Sequence, residues 1–440
     1  MALSYRVSHG GCLSGKLRVP GDKSISHRAL LFGAVAEGET RVRGLLHSGD
    51  THATRMALSN MGVIVTGTQD TLRIQGVGID GLQAPAGQVL DVGNSGTSMR
   101  LLTGLLAGQK FASTLIGDGS LLTRPMQRIS EPLKRMGAAV SVSSSGTAPI
   151  CIEPVEGLSA IRYKLPVASA QIKSCLLLAG LYAKGDTCVS EPQLSRDHTE
   201  RLLAVFGYPV RRHDDAICIT GGGKLIGTEV SVPADISSAA FFLVGAAISK
   251  GSDLTAEQVS VNPTRAGCVT ILDRMGARIE VFNHRLLSGE PVADIRVRGS
   301  DLHGVDISPD LVASAIDEFP ALFVAAACAS GTTRVRGVGE LKHKESDRIG
   351  AMVQGLTRLG IHAVASGDGV TVEGGAFTGG AVNSFGDHRV AMAFAIAALG
   401  ASAPIEVVDC ANVATSFPNF VNMAASAGLV IEQISTGAGR

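Results

Sequence analysis

The chain has 440 residues, with 39 basic and 39 acidic side chains, so its formal net charge is zero. That length gives room for two or more domains and a large core, and the charge balance excludes a global field drawing it to nucleic acid or anionic membrane. Aromatic residues are 4% and Trp is absent, which argues against base-stacking platforms and leaves any bound anion to a local cluster of cations.

The opening residues, MALSYRVSHGG, lack an apolar signal core. The longest apolar runs, such as AAFFLVGAAI, reach about half of the ~20 residues a membrane span needs, so they read as buried helices. A cytoplasmic location is expected. The eight cysteines (Cys12, Cys151, Cys175, Cys188, Cys218, Cys268, Cys328 and Cys410) are scattered, with no CxxC pair. They read as reduced core residues.

In chain order, one phrase recurs: a helix, an apolar residue, a glycine and a β-like run. Its glycines are Gly62, Gly137, Gly207, Gly276, Gly360 and Gly428, at intervals of roughly seventy residues. Each suits the left-handed residue that ends a helix, and after the first five a hairpin pattern follows. A second phrase interleaves: a helix apolar nearly all round, then glycine, then a strand. It begins at SISHRALLF, SGTSMRLL, SAQIKSCLL, ISSAAFFLV, EFPALFVAA and DHRVAMAFA. Such helices sit inside, with sheets around them. The predicted fold class is α/β, with six βαβαββ units, three to a domain, buried parallel helices and sheets outside. VPGDKS and VPADIS each precede an apolar helix. Units starting there predict one domain at 21–234 and a second built from 1–20 and 235–440.

The mouths of these helices carry the polar residues: Lys23, Ser24 and Arg28; Asn94, Gly96 and Thr97; Ser169 and Gln171; Asp235; Asp317; Asp387 and Arg389. Free N–H groups and the positive dipole end make helix N-termini anion sites. Plain capping explains Ser, Asn and Asp singly. It does not explain Lys23, Arg28 and Arg389, which the dipole disfavours. Further cations sit in the connections, at Arg124, Arg196 and the run Lys344, Glu345, Asp347, Arg348. Asp317 stands before FPALFVAAACA, where burial would raise its pKa toward a general-base value. GGCLSGKL nearly spells a phosphate loop, but Leu17 stands where a hydroxyl must bind magnesium. GVGIDG lacks a helix after it. No metal and no cofactor are expected.

The segments PGDKSISHR, GNSGTSMRLL, RPMQR, ASAQIKS, SRDHTERLL, NPTRAG, IDEFPAL, KESDRIG and GDHRVAMAF resemble those of the 5-enolpyruvylshikimate-3-phosphate synthases, from about Val19 to Pro418. The resemblance implies two three-unit domains that close on substrate. It also implies transfer of the enolpyruvyl group of phosphoenolpyruvate to the 5-hydroxyl of shikimate 3-phosphate, with release of phosphate and no cofactor. It assigns Lys23, Ser24, Arg28, Ser169, Gln171, Arg196, Asp317 and Lys344 to shikimate 3-phosphate. Lys23, Gly96, Arg124, Gln171, Arg348 and Arg389 go to phosphoenolpyruvate. Asp317 would be the base on the 5-hydroxyl, with Lys23 beside both substrates, and Glu345 would protonate and deprotonate the methylene carbon. Glu340 and Thr415 stand where some members carry Asn and Lys, which resembles the bacterial class II subgroup. Gly96 leaves room for glyphosate, so inhibition is expected. A monomer is expected, without nucleic-acid or membrane partners. The rivals are the transferases acting on UDP-N-acetylglucosamine, which typically carry a Cys where GDGSLLTRPM has none, the RNA 3′-terminal phosphate cyclases, which need nucleotide and RNA binding, and a non-catalytic protein on the same scaffold.

Overall fold

Helices that are apolar on every side must be enclosed, and the repeat encloses them. The computed structural model describes residues 2–436. Six four-stranded sheets form among them, with a short two-stranded pairing of Leu158–Ser159 and Ala183–Lys184. One sheet shows how a unit is made. Val89–Asp91 runs parallel to Ser113–Ile116, with Leu90 opposite Leu115. The helix Gly96–Leu106 connects them, because parallel neighbours need a crossover. The hairpin of Ala139–Ser141 and Ile150–Glu153 then adds antiparallel strands, with Leu115 facing Ile150. The six helix-ending glycines all have positive φ, from 76° at Gly207 to 115° at Gly428.

Two sheets take their first strand from distant sequence. Glu229–Ser231 pairs parallel with Glu37–Arg43, and Ser14–Leu17 with Asp253–Ser260. Ser14–Leu17, the end of the near-phosphate-loop motif, is therefore a sheet edge. Ala2–Val7 lies between Ile405–Val408 and Ile431–Thr436.

The described chain resolves into two compact units. One comprises Gly21–Val232 and Leu286–Glu290; the other holds the remaining residues. The first encloses the helices Lys23–Val35, Gly96–Leu106 and Ala170–Gly180. In the second, Ile236–Ile248, Phe319–Cys328 and His388–Ala397 are enclosed, with Phe242, Phe417 and Phe420 clustered beside them. No helix among the described residues is long and apolar enough to cross a membrane.

The cysteines depart from expectation in one pair. Cys188 and Cys218 lie directly opposite on the antiparallel strands Asp186–Ser190 and Ala216–Thr220, and their sulfurs are bonded. Register brings together two thiols that are distant in sequence. Cys175, Cys268 and Cys410 are free and buried, while Cys12 is exposed rather than in the core.

Candidate active site

In the Gly21–Val232 unit, three helix mouths carry the polar groups. Asp22 caps Lys23–Val35, its Oδ1 accepting from Ile25 N at 2.9 Å. Lys23 Nζ stands 3.2 Å from Asp50 Oδ2. Arg28 is buried. Its Nε donates to Thr199 Oγ1 at 2.7 Å, Nη1 to the Ser24 carbonyl at 2.9 Å and Nη2 to Ser174 Oγ at 2.6 Å. Burial lowers its pKa to about 10, against the opposing pull of Glu200. A guanidinium fixed by neutral partners keeps its full charge for an incoming anion.

Next to Arg28, His27 lies on a buried hydroxyl chain. Its Nδ1 meets Thr54 Oγ1 at 2.8 Å, Thr54 meets Ser98 Oγ at 2.6 Å, and Ser98 donates to Ser95 Oγ at 2.7 Å. Burial first, then the charges of Lys23 and Arg28, lowers the His27 pKa to about 3.

Ser95 caps the second helix through Ser98 N, and Ser169 the third through Ile172 N. Their mouths are joined by Gln171, whose Nε2 donates to Thr97 Oγ1 at 3.1 Å and whose Oε1 accepts from Arg100 Nη1 at 2.9 Å. Arg124 Nη2 donates to Asn94 Oδ1 at 2.8 Å and lies beside Gly96, where an added Cβ would stand 3.2 Å from Arg124 Nη1 and 2.8 Å from Arg100 Nη1. Gly96, Arg124 and Gln171 are thus brought together, and Arg100 with them. Arg196 stands in the segment leading into the helix His198–Val205.

In the other unit, Asp317 is the hub. Its Oδ1 lies 3.1 Å from Arg348 Nη1 and 3.5 Å from Lys344 Nζ, and its Oδ2 lies 3.8 Å from Arg389 Nη2 and 4.0 Å from Arg265 Nη1. Its carbonyl accepts from Arg389 Nη1 at 3.1 Å. The sequence placed this carboxylate at the mouth of an apolar element, and the fold adds four cations to it. Arg348 is buried and donates from Nε to Asp387 Oδ2 at 2.8 Å and from Nη2 to Glu345 Oε2. Burial alone would lower its pKa, but Asp387, Glu345 and Asp317 together hold it above the usual guanidinium range. Asp387 also caps its helix, accepting from Arg389 N at 2.8 Å. Asp317, Lys344, Glu345, Arg348 and Arg389 thus form one linked set.

The sequence reading gave no role to Arg100 or Arg265. Arg265 Nη2 donates to Asp235 Oδ1 at 3.2 Å and Ser237 Oγ at 2.7 Å, and lies 3.7 Å from Glu318 Oε1. The available signal was an arginine inside an apolar helical run (SMRLL) and another in NPTRAG. One trio, Asp197, His198 and Glu290, brings ligand-type atoms within 4.8 Å of one another. There Asp197 pairs with Arg201 at 2.9 Å and His198 Nδ1 with Glu290 Oε1 at 2.6 Å.

Residues 7–423 match the family model for EPSP synthase (3-phosphoshikimate 1-carboxyvinyltransferase). The 3-phosphoshikimate 1-carboxyvinyltransferase of Methylococcus capsulatus is 59% identical over 97% of this chain and 98% of that protein. Its counterpart in Legionella pneumophila (strain Philadelphia 1) is 54% identical over 97% and 98%. Among solved structures, an EPSP synthase from Acinetobacter baumannii matches with TM-score 0.89 and 49% identity, covering 99% of this chain and all of that one. With its six-unit architecture and this match along nearly its whole length, the chain belongs to the EPSP synthase family.

Proposed function

We propose that this chain transfers the enolpyruvyl group of phosphoenolpyruvate to the 5-hydroxyl of shikimate 3-phosphate, releasing phosphate, in the synthesis of aromatic amino acids. The observation that carries the chemistry is the Asp317 carboxylate held among Lys344, Arg348, Arg389 and Arg265. Two polyanionic substrates repel one another, and fixed cations must cancel that repulsion. Asp317, fixed in place by these four cations, is the carboxylate assigned to accept the 5-hydroxyl proton.

Lys23, Ser24, Arg28, Ser169, Gln171, Arg196, Asp317 and Lys344 are assigned to shikimate 3-phosphate. Lys23, Gly96, Arg124, Gln171, Arg348 and Arg389 are assigned to phosphoenolpyruvate. Glu345, bonded to Arg348, delivers a proton to the methylene carbon. The 5-oxygen then adds to the neighbouring carbon as its proton passes to Asp317. From the tetrahedral adduct the phosphate leaves with its bonding electrons and takes up the proton held by Asp317, and Glu345 recovers a proton from the methyl group, restoring the double bond. The balance closes without a cofactor. The domains expected at 21–234 and at 1–20 with 235–440 are read as the two compact units, with the hairpin tip Leu286–Glu290 counted in the first. A cytoplasmic monomer is the accompanying reading.

Phosphate release from phosphoenolpyruvate tests the reaction. Release is expected with shikimate 3-phosphate and not with UDP-N-acetylglucosamine; the reverse would move the chain to the sister reaction. The lack of a side chain at Gly96, beside Arg100 and Arg124, also supports glyphosate sensitivity. The expected inhibition constant lies within about tenfold of the KM for phosphoenolpyruvate, and Gly96→Ala, which crowds Arg100 and Arg124, should raise it by about tenfold or more. An inhibition constant far above that KM in the parent protein would sink this reading.

A further inference from the structure

A buried ammonium in the Gly21–Val232 unit has no part in the chemistry above. Lys173, on the helix Ala170–Gly180, is 1% exposed. Its Nζ lies 2.7 Å from Glu191 Oε2 and 2.7 Å from Glu200 Oε1. These carboxylates bracket Arg196. Glu191 follows the strand Asp186–Ser190, and Glu200 lies in the first turn of His198–Val205. Glu191 also clasps the residue before Arg196: its Oε1 accepts from Ser195 Oγ, and its Oε2 from Ser195 N at 3.4 Å. Between them, Pro192, Gln193 and Leu194 are exposed and form no regular element. No apolar anchor fixes this stretch.

We propose that Lys173 is a positioning residue for Arg196, holding both ends of the segment from Glu191 to Glu200 and so setting where the Arg196 guanidinium meets shikimate 3-phosphate. The proposal rests on the assignment of Arg196 to that substrate. Stability alone is a poor reason for such a group, because a buried ion triad can often be replaced by apolar side chains without loss. A segment that has to be precise, and whose stretch Pro192 to Leu194 is exposed and irregular, is a better one. The same network reaches Arg28 through neighbouring positions: Ser174 and Thr199, next to Lys173 and Glu200, both accept from its guanidinium.

The test is steady-state kinetics on Lys173→Met, Arg196→Ala, Glu191→Leu and the double variant Arg196→Ala with Glu191→Leu. Glu191→Leu keeps the Lys173–Glu200 pair, so it serves where Lys173→Met fails to fold. Each folded clasp variant should raise the KM for shikimate 3-phosphate by about tenfold, a coupling of ordinary size for linked residues, with the KM for phosphoenolpyruvate within about twofold of the parent. In the Arg196→Ala background, Glu191→Leu should add nothing. A purely structural role lowers the melting temperature without splitting the two KM values. A folded clasp variant with an unchanged KM for shikimate 3-phosphate overturns the proposal, as does a full additional rise in the Arg196→Ala background. If Arg196→Ala itself has no effect, the assignment of Arg196 falls and takes the proposal with it.

Discussion

At the scale of single residues, charge placement decides what each group can do. Asp317 is held within 4.0 Å of four cationic side chains. Asp317→Asn keeps the shape, and the amide is a far weaker proton acceptor. It should cut kcat by roughly 10²–10⁴-fold, the usual worth of a positioned base, with the fold intact by circular dichroism and the KM for shikimate 3-phosphate changed far less. An unchanged kcat would remove Asp317 from the proton path. His27 makes a different residue-scale prediction. Burial, with Lys23 and Arg28, sets its folded pKa near 3, below the ordinary 6.5. Between those values the unfolded chain binds the proton and the folded chain does not. The His27 contribution is therefore fully present above about pH 6.5 and is lost as pH falls toward 3. Urea unfolding at pH 7.5, 5.5 and 4.5, compared with His27→Asn, should show the parent losing up to about 1.4 kcal/mol more per pH unit below 6.5. Parallel pH profiles would show that His27 charges freely in the folded protein.

At the scale of elements, close helix packing replaces propensity as the deciding term. The helices Gly96–Leu106 and Ala170–Gly180 approach so closely that a Cβ on Gly104 would stand 2.2 Å from the Cys175 carbonyl oxygen. Alanine would gain about 1 kcal/mol in helix propensity, but the obstacle is backbone and cannot rotate away. Gly104→Ala should therefore destabilise by about 1–3 kcal/mol, as overpacking does; stabilisation in a denaturant titration would show that the helices can part at little cost. This scale also shows what the sequence could tell. Helices apolar on all sides, the glycines ending their partners and the caps Ser169, Asp235 and Asp387 are local patterns, and they were legible because each repeats a physical requirement of its own element. The candidate site was legible as residues at helix mouths. Partnerships were not. Arg265 finds Asp235 and Glu318, Lys173 finds Glu191 and Glu200, and Cys188 finds Cys218 only through the packing of separate elements. Asp317 shows the same limit. FPALFVAAACA shows the apolar helix that follows it, while its cations arrive from three other segments of the chain.

At the scale of the whole molecule, chain connectivity and folding unit part company. The three sheets enclosing Lys23–Val35, Gly96–Leu106 and Ala170–Gly180 draw every strand from between residues 21 and 232, including the late strand Glu229–Ser231 that closes the first of them. Their shared core likewise runs from Ile25 to Val232. The other unit has no such contiguous stretch, because Ala2–Val7 is an inner strand of one of its sheets and Ser14–Leu17 an edge of another. The two halves should therefore respond differently to cutting. A chain of residues 21–232 keeps all its sheets and its core, and loses only the hairpin tip whose Glu290 pairs with His198 and whose Gly289 carbonyl accepts from Arg201. It should fold alone with a cooperative thermal transition, at a lower temperature than the full chain, because His198 is left buried without its carboxylate. It should not turn over, since Asp317, Glu345, Arg348 and Arg389 are absent. A chain of residues 233–440 lacks both N-terminal strands, which leaves Ile405–Val408 and Ile431–Thr436 unpaired on their inner edges, and should not melt cooperatively. Circular dichroism melts of the two fragments decide it. A cooperative melt of 233–440, or a molten 21–232, would show that the fold is held by something other than the completeness of each unit's sheets.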